Sequence, residues 1–171
     1  DHKGLGWGSG GGGWNDSTQN SYPDWLEVNF NAYRNIQEID VYTLQDNFAS
    51  PVEPTSNTMF SSFGITDFQV EYWNGSDWLL VPGGLVAGNR LVWRKFTFTP
   101  ISTPRIRVLV TGSLQGYSRI TEIEAYGTSG NSNNAPTVTL TAPTDHSIFN
   151  APATITLKAA ANDPDGQVVK V

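Results

Sequence analysis

Between Asp24 and Tyr126 the chain runs through seven short stretches in which apolar and polar residues alternate, and no helical stretch interrupts them. A period of two sends successive side chains to opposite faces of a strand. In Trp25–Phe30, Leu26, Val28 and Phe30 therefore share one face and Glu27 and Asn29 the other, as in a half-buried strand. The same period recurs in Ile39–Leu44 and Phe68–Tyr72. Asn74-Gly75 then predicts a type I′ hairpin turn into Trp78–Val81, because that turn needs two residues tolerant of positive φ. Trp93–Phe98, Ile106–Val110 and Ile120–Tyr126 complete the set. Strands at this spacing, without amphipathic helices between them, favour antiparallel pairing in an all-β sandwich or jelly roll.

The segments around these strands suggest the domain organisation. The first residues hold a glycine cluster, Gly10 to Gly13, flanked by Trp7 and Trp14, which are expected either to pin this loop to the sandwich or to form an exposed pair there. Gln45–Thr66 is the longest irregular stretch, with Pro51, Pro54 and Gly64, and loops of that length are often functional. Residues 127–135 are small, polar and uncharged, the composition of a linker. Beyond it, Pro136–Pro143 and Ala153–Ala159 read as strands, with Val138, Leu140, Ile155 and Leu157 as inward candidates. Asp163-Pro-Asp-Gly166 reads as a turn into Val168–Val171. Three strands are too few for a sandwich of about seven, so domains are expected at 1–126 and, incomplete, at 136–171.

Composition narrows the function. With 10 Lys and Arg against 16 Asp and Glu, the formal charge is -6. Attraction to nucleic acid or anionic lipid needs clustered cations, so both are disfavoured as partners. There is no cysteine, which removes disulfides and thiolate metal sites. No apolar run of about 18 residues is present to span a membrane. Cysteine-free, Thr- and Asn-rich all-β chains point toward an exported bacterial protein.

Asp24–Phe30, Ile39–Tyr42, Phe68–Trp73, Trp78 and Ser118-Arg-Ile-Thr-Glu-Ile-Glu-Ala-Tyr126 together resemble the discoidin, or coagulation factor 5/8 type C, family. That family includes the galactose-binding-like carbohydrate-binding modules of many bacterial glycoside hydrolases and lyases. The resemblance covers about three quarters of the chain. It implies a jelly-roll sandwich whose opening strand, before Asp1, is missing or supplied by another chain. From Pro136 the Pro-x-Val-x-Leu-Thr-x-Pro opening and the Asp-Pro-Asp-Gly turn resemble bacterial immunoglobulin-like repeats.

The resemblance also implies two sites. A structural calcium would use main-chain oxygens of Asp1 and Gly4, the Thr121 carbonyl and the Glu122 carboxylate, since calcium takes six to eight oxygens. The family's leading acidic ligand would fall just before residue 1, and Gly4 stands where a Thr is usual. A sugar site would lie on the loops at one end, where an aromatic ring stacks on a pyranose and polar groups bond its hydroxyls. Asp46, Asn47, Phe48 and Tyr117 are the leading candidates, with Gln45, Tyr22 and Arg119 behind them. Each has a competing structural role: loop Asp and Asn cap turns, and Arg119 suits a buried ion pair at the sandwich edge.

Other motifs point away from catalysis. Glu122 and Glu124 share one face of one strand, whereas glycoside hydrolysis needs two carboxyl groups flanking a cleft. His2 and His146 fall in different domains, so neither a triad nor a zinc site is expected. Trp25, Trp73, Trp78 and Trp93 are expected in core or edge packing. The expectation is thus a non-catalytic glycan-binding or adhesion module of a secreted or surface multidomain protein. Its rival is a building block of an extracellular filament or surface layer, joined to neighbouring copies of the same chain by strand addition.

Overall fold

The computed structural model describes residues 1–8, 10–127 and 137–162. The chain divides into two units, Asp1–Thr128 and Ser129–Val171.

The first unit holds β1 (Trp14–Asn15), β2 (Asp24–Thr43), β3 (Ile65–Trp73), β4 (Trp78–Val86), β5 (Trp93–Ser113) and β6 (Arg119–Gly127). A 3-10 turn, Leu114–Gly116, is the one helical element among the described residues. All pairing is antiparallel, in the order β1-β6-β2-β5-β3-β4. The seven expected strands are all present, but four of them fuse into two. Trp25–Phe30 and Ile39–Leu44 become parts of β2, and Trp93–Phe98 and Ile106–Val110 parts of β5. These two long strands pair throughout, except where the register slips between Asn29 and Arg34 and again between Ile36 and Glu38.

Those irregularities are the corner of the sandwich, because a bulge bends a strand and carries it from one layer to the other. The later half of β2 and the earlier half of β5 join β6 and β1 in the first layer. The earlier half of β2 and the later half of β5 join β3 and β4 in the second. Ile36, Ile39, Val41, Phe96 and Ile120 of the first layer and Phe68, Val70, Ile106, Val108 and Val110 of the second form one buried cluster. At its centre Phe68 and Phe96 meet edge to face, with centroids 6.4 Å apart.

Leu26, Val28 and Phe30 pack on this cluster from β2, as their alternation requires, while Trp25, Glu27 and Asn29 face out. Trp25 is a correction: expected in core or edge packing, it is 54% exposed on the outer face of the second layer. The β3–β4 hairpin is present, but its loop is Asn74–Asp77 and not a two-residue turn. Asn74 Oδ1 accepts from the amides of Ser76 and Asp77 (2.8 Å each), and Gly75 alone takes positive φ. On β4, Pro82 and a bulge opposite Gln69–Glu71 interrupt the outer edge of the sheet, features that hinder pairing with another chain.

In the second unit, β7 (Thr137–Ala142) pairs with β8 (Lys158–Asn162). The expected strand at Ala153–Ala159 is displaced: residues 153–157 are irregular and pairing begins at Lys158. Val138, Leu140, Ile155 and Leu157, the inward candidates, are all exposed. Among the described residues of this unit these two strands are the only pair, and no second layer covers them. Most of the expected linker, the Asp163–Gly166 turn and the strand at Val168–Val171 lie outside the described residues. Among the described residues no helix is long and apolar enough to cross a membrane.

Candidate functional site

Three segments gather where β6 begins: the N-terminal loop 1–13, the loop between β2 and β3, and the turn before β6. The N-terminal loop is held by main-chain contact. At Gly13 (φ +132°) a Cβ would collide with the Ile120 carbonyl oxygen and would sit 3.1 Å from the Trp7 ring, so only glycine lets the loop lie on β6 with Trp7 above it. Trp14 packs on the core cluster. Both tryptophans therefore pin the loop, the first of the two arrangements expected.

Among the sugar-site candidates the structure separates structural residues from accessible ones. Gln45 is buried, with its amide giving to the Val52 carbonyl (2.9 Å) and its oxygen accepting from the Val52 amide (3.1 Å); it braces the loop and does not reach a surface. Tyr22 packs on the core, and its hydroxyl shares a 2.6 Å hydrogen bond with Ser113 Oγ. Asp46 accepts from the amides of Ser61 (2.8 Å) and Ser62 (2.9 Å) and from Ser61 Oγ (2.8 Å). Partial burial pushes its pKa up, but the bonds from Ser61, Ser62 and Phe63 outweigh this and hold it below the usual carboxylate range. Asn47 gives to the Ser50 carbonyl (2.5 Å). Both are turn caps.

Phe48, Tyr117 and Arg119 do come together, through Phe63, which the sequence reading missed. Phe48 meets Phe63 edge to face at 5.2 Å, and the Arg119 guanidinium lies 5.6 Å from the Phe63 centroid and 5.2 Å from that of Tyr117. The expected carboxylate partner of Arg119 is replaced by carbonyls. Nη1 gives to those of Leu114 (3.2 Å), Phe63 (3.3 Å) and Tyr117 (3.4 Å). Burial lowers the Arg119 pKa, with Asp16 opposing. Phe63 lies in the irregular stretch between β2 and β3, where no period shows which way a side chain faces.

Beside this stack lies an open cleft of about 400 Å³ lined by Trp7, Asn15, Tyr117, Arg119 and the glycine loop. A second, of about 320 Å³, runs from Trp14 and Asn15 to Asp24 and Trp25. Aromatic rings beside amide, hydroxyl and guanidinium groups can hold a ligand with one apolar face and a rim of hydroxyls.

The residues assigned to calcium also meet. A Cβ on Gly4 would fall 2.7 Å from Thr121 Cγ2, and the Asp1 amino group lies against the Glu122 carboxylate. The Asp1 carbonyl accepts from the Gly4 amide (3.1 Å), and the Gly4 carbonyl from Trp7 (3.3 Å), each with a second lone pair in hand. These are hard oxygens of the kind calcium takes. Among the described residues no three His, Asp or Glu side chains gather around a metal position, so a cation here would have to rest largely on main-chain oxygens.

Glu122 and Glu124 stand opposite Tyr42 and Asp40 of β2, on one sheet face and not across a cleft. His2 joins the N-terminal loop to this face. Its Nδ1 lies 2.6 Å from Glu53 and its Nε2 2.8 Å from Glu124, while its ring stacks on Tyr42 at 4.3 Å. The bonds to Glu124 and then Glu53 raise its pKa.

Residues 136–171 match a family model described as a bacterial Ig domain. No curated protein matches the chain. Among solved structures, the lectin domain of lectinolysin, complexed with Lewis B antigen, is similar with a TM-score of 0.54 at 12% identity, over 75% of this chain and 79% of that one. Chitosan-binding module 1 of a Paenibacillus sp. IK-5 chitosanase/glucanase has a TM-score of 0.50 at 16% identity, over 67% of this chain and 74% of that one. The family 32 carbohydrate-binding module of Clostridium perfringens NanJ, in complex with galactose, has 0.48 at 21%, over 66% and 74%. On the first two likenesses, the sandwich has the discoidin-like jelly-roll fold on which lectin domains and carbohydrate-binding modules are built.

Proposed function

We propose that the first unit is a non-catalytic carbohydrate-binding module, with its site in the cleft between Trp7 and Tyr117. The observation that carries this reading is the pairing of two aromatic side chains with Arg119 and Asn15 around an open cleft of about 400 Å³. A pyranose offers that cleft a C–H face for a ring and hydroxyls for the Asn15 amide and the Tyr117 hydroxyl. The fold is consistent with it, since a structure similar to it is a lectin domain complexed with Lewis B antigen. In this reading the parent is secreted or displayed at a cell surface. The module brings its partner to a glycan by weak contacts multiplied through repetition.

Glycan-array binding followed by calorimetry tests the site. Trp7→Ala and Tyr117→Ala should each weaken the best ligand about tenfold or more, roughly 1.4 kcal/mol, with the β-sheet circular dichroism unchanged. Unaltered affinity in both variants removes the cleft from the reading.

The N-terminal loop takes calcium in the same reading, through the main-chain oxygens of Asp1, Gly4 and Thr121 and the Glu122 carboxylate, with water filling the remaining positions. Calcium at a hundredfold excess over its Kd should stabilise the unit by about 2.7 kcal/mol, seen as a higher Tm than in chelator. An identical Tm with and without chelator rules calcium out.

A further inference from the structure

The two clefts are neighbours, and both are lined by Asn15. Asn15 belongs to β1, the outermost strand of its layer, and stands opposite Arg119 in the register. On one side of it lie Trp7, Tyr117 and Arg119. On the other the surface continues through Ser17 and Thr18 to Asp24 and Trp25.

That second side has an aromatic ring without a structural task. Trp73 and Trp78 pack on each other at 5.4 Å and are covered by Arg105 and Arg107, and Trp93 lies 5.7 Å from Tyr42 with Lys95 over it. Trp25 is 54% exposed, and among the described residues no ring or cation covers it. Beside it, Asp24 spends one carboxylate oxygen on Ser118 Oγ (2.7 Å), and the other takes no hydrogen bond among the described residues. An uncovered indole next to an acceptor and hydroxyls repeats the chemistry of the first cleft. Each cleft falls at the small end of the roughly 300–1,000 Å³ range of ligand pockets.

The local charge selects among glycans. Asp16 and Asp24 line the second cleft, Arg119 in the first is buried and held by three carbonyls, and the chain carries -6 overall. Arg119 offsets Asp16, but Asp24 has no ion pair among the described residues, so uronate or sulfate groups would meet its repulsion there.

We propose that the two clefts are one groove with a subsite on either side of Asn15, and that it takes an internal stretch of a polysaccharide chain free of acidic groups. This inference rests on the reading of the Trp7–Tyr117 cleft as a sugar site. A terminal monosaccharide fills only the first subsite; a chain of two or more units engages Trp25 as well.

Titration calorimetry with galactose, N-acetylglucosamine and glucosamine, with their β-1,4-linked oligomers of two to six units, and with polygalacturonate tests it. In the series that binds, affinity should rise about tenfold between one unit and three, and polygalacturonate should not bind. Trp25→Ala should bring the longer oligomers down to near the affinity of the monosaccharide, with an unchanged Tm. Affinity independent of length, a length dependence that survives in Trp25→Ala, or tight binding of polygalacturonate overturns the groove while leaving the first cleft intact. Binding of none of the three series by the wild-type chain overturns the underlying reading and the groove together.

Discussion

The two halves of β2 carry the same alternating pattern and meet different fates. In Asp24–Phe30 the inner residues are half-buried and the outer ones, Trp25 and Glu27, face solvent. In Ile39–Thr43 every residue is buried, including the outward-facing Asp40 and Tyr42. The difference comes from what lies on top. Over the second half, the N-terminal loop lays His2 on Tyr42, and Trp93 stacks beside it at 5.7 Å. Nothing comparable covers the first half among the described residues. Alternation thus reports which face meets the core, while a separate loop decides whether the other face is wet.

Substitutions along β2 can break this contrast. On the inner face, Ile39 is fully buried, and Ile39→Ala should cost about 2–5 kcal/mol in denaturant unfolding. A cost under 1 kcal/mol would mean the two layers do not close on it. On the covered outer face, Tyr42→Ala should still cost about 2–4 kcal/mol, through lost packing with His2 and Trp93. Were it as mild as a surface change, the N-terminal loop would not be a true cover. On the open outer face, Trp25→Ala should alter stability by less than about 0.5 kcal/mol, and a larger loss would show that the indole is part of the scaffold.

The same contrast explains what could be read beforehand. The period of two gave every strand of the first unit except the two-residue β1, and the inward side of Leu26, Val28, Val41 and Phe68, since core-facing positions follow from local geometry alone. It could not tell that Phe30 and Ile39 belong to one strand, because a bulge has no mark in a binary pattern. Nor could it place Ile155 and Leu157 outside, as that depends on whether a second layer is there to receive them. Site residues were harder. Tyr117 and Arg119 line the cleft of the proposed site, but Gln45 and Asp46, which look like ligand groups in sequence, brace a loop. A polar side chain's task depends on partners far along the chain, such as Val52 or Ser61. Trp7 and Asn15 reach the cleft through the main-chain path of a glycine loop, which no spacing rule encodes.

The ribbon of β2 and β5 crosses from one layer to the other without a break in either strand. Neither layer owns those strands, so peeling the hairpin β3–β4 away frees one end of the same two strands whose other end holds β6. Melting of this unit should therefore be a single all-or-none event, with no stage at which half the sandwich persists. Amide exchange across β2 should reach one common protection limit at both ends.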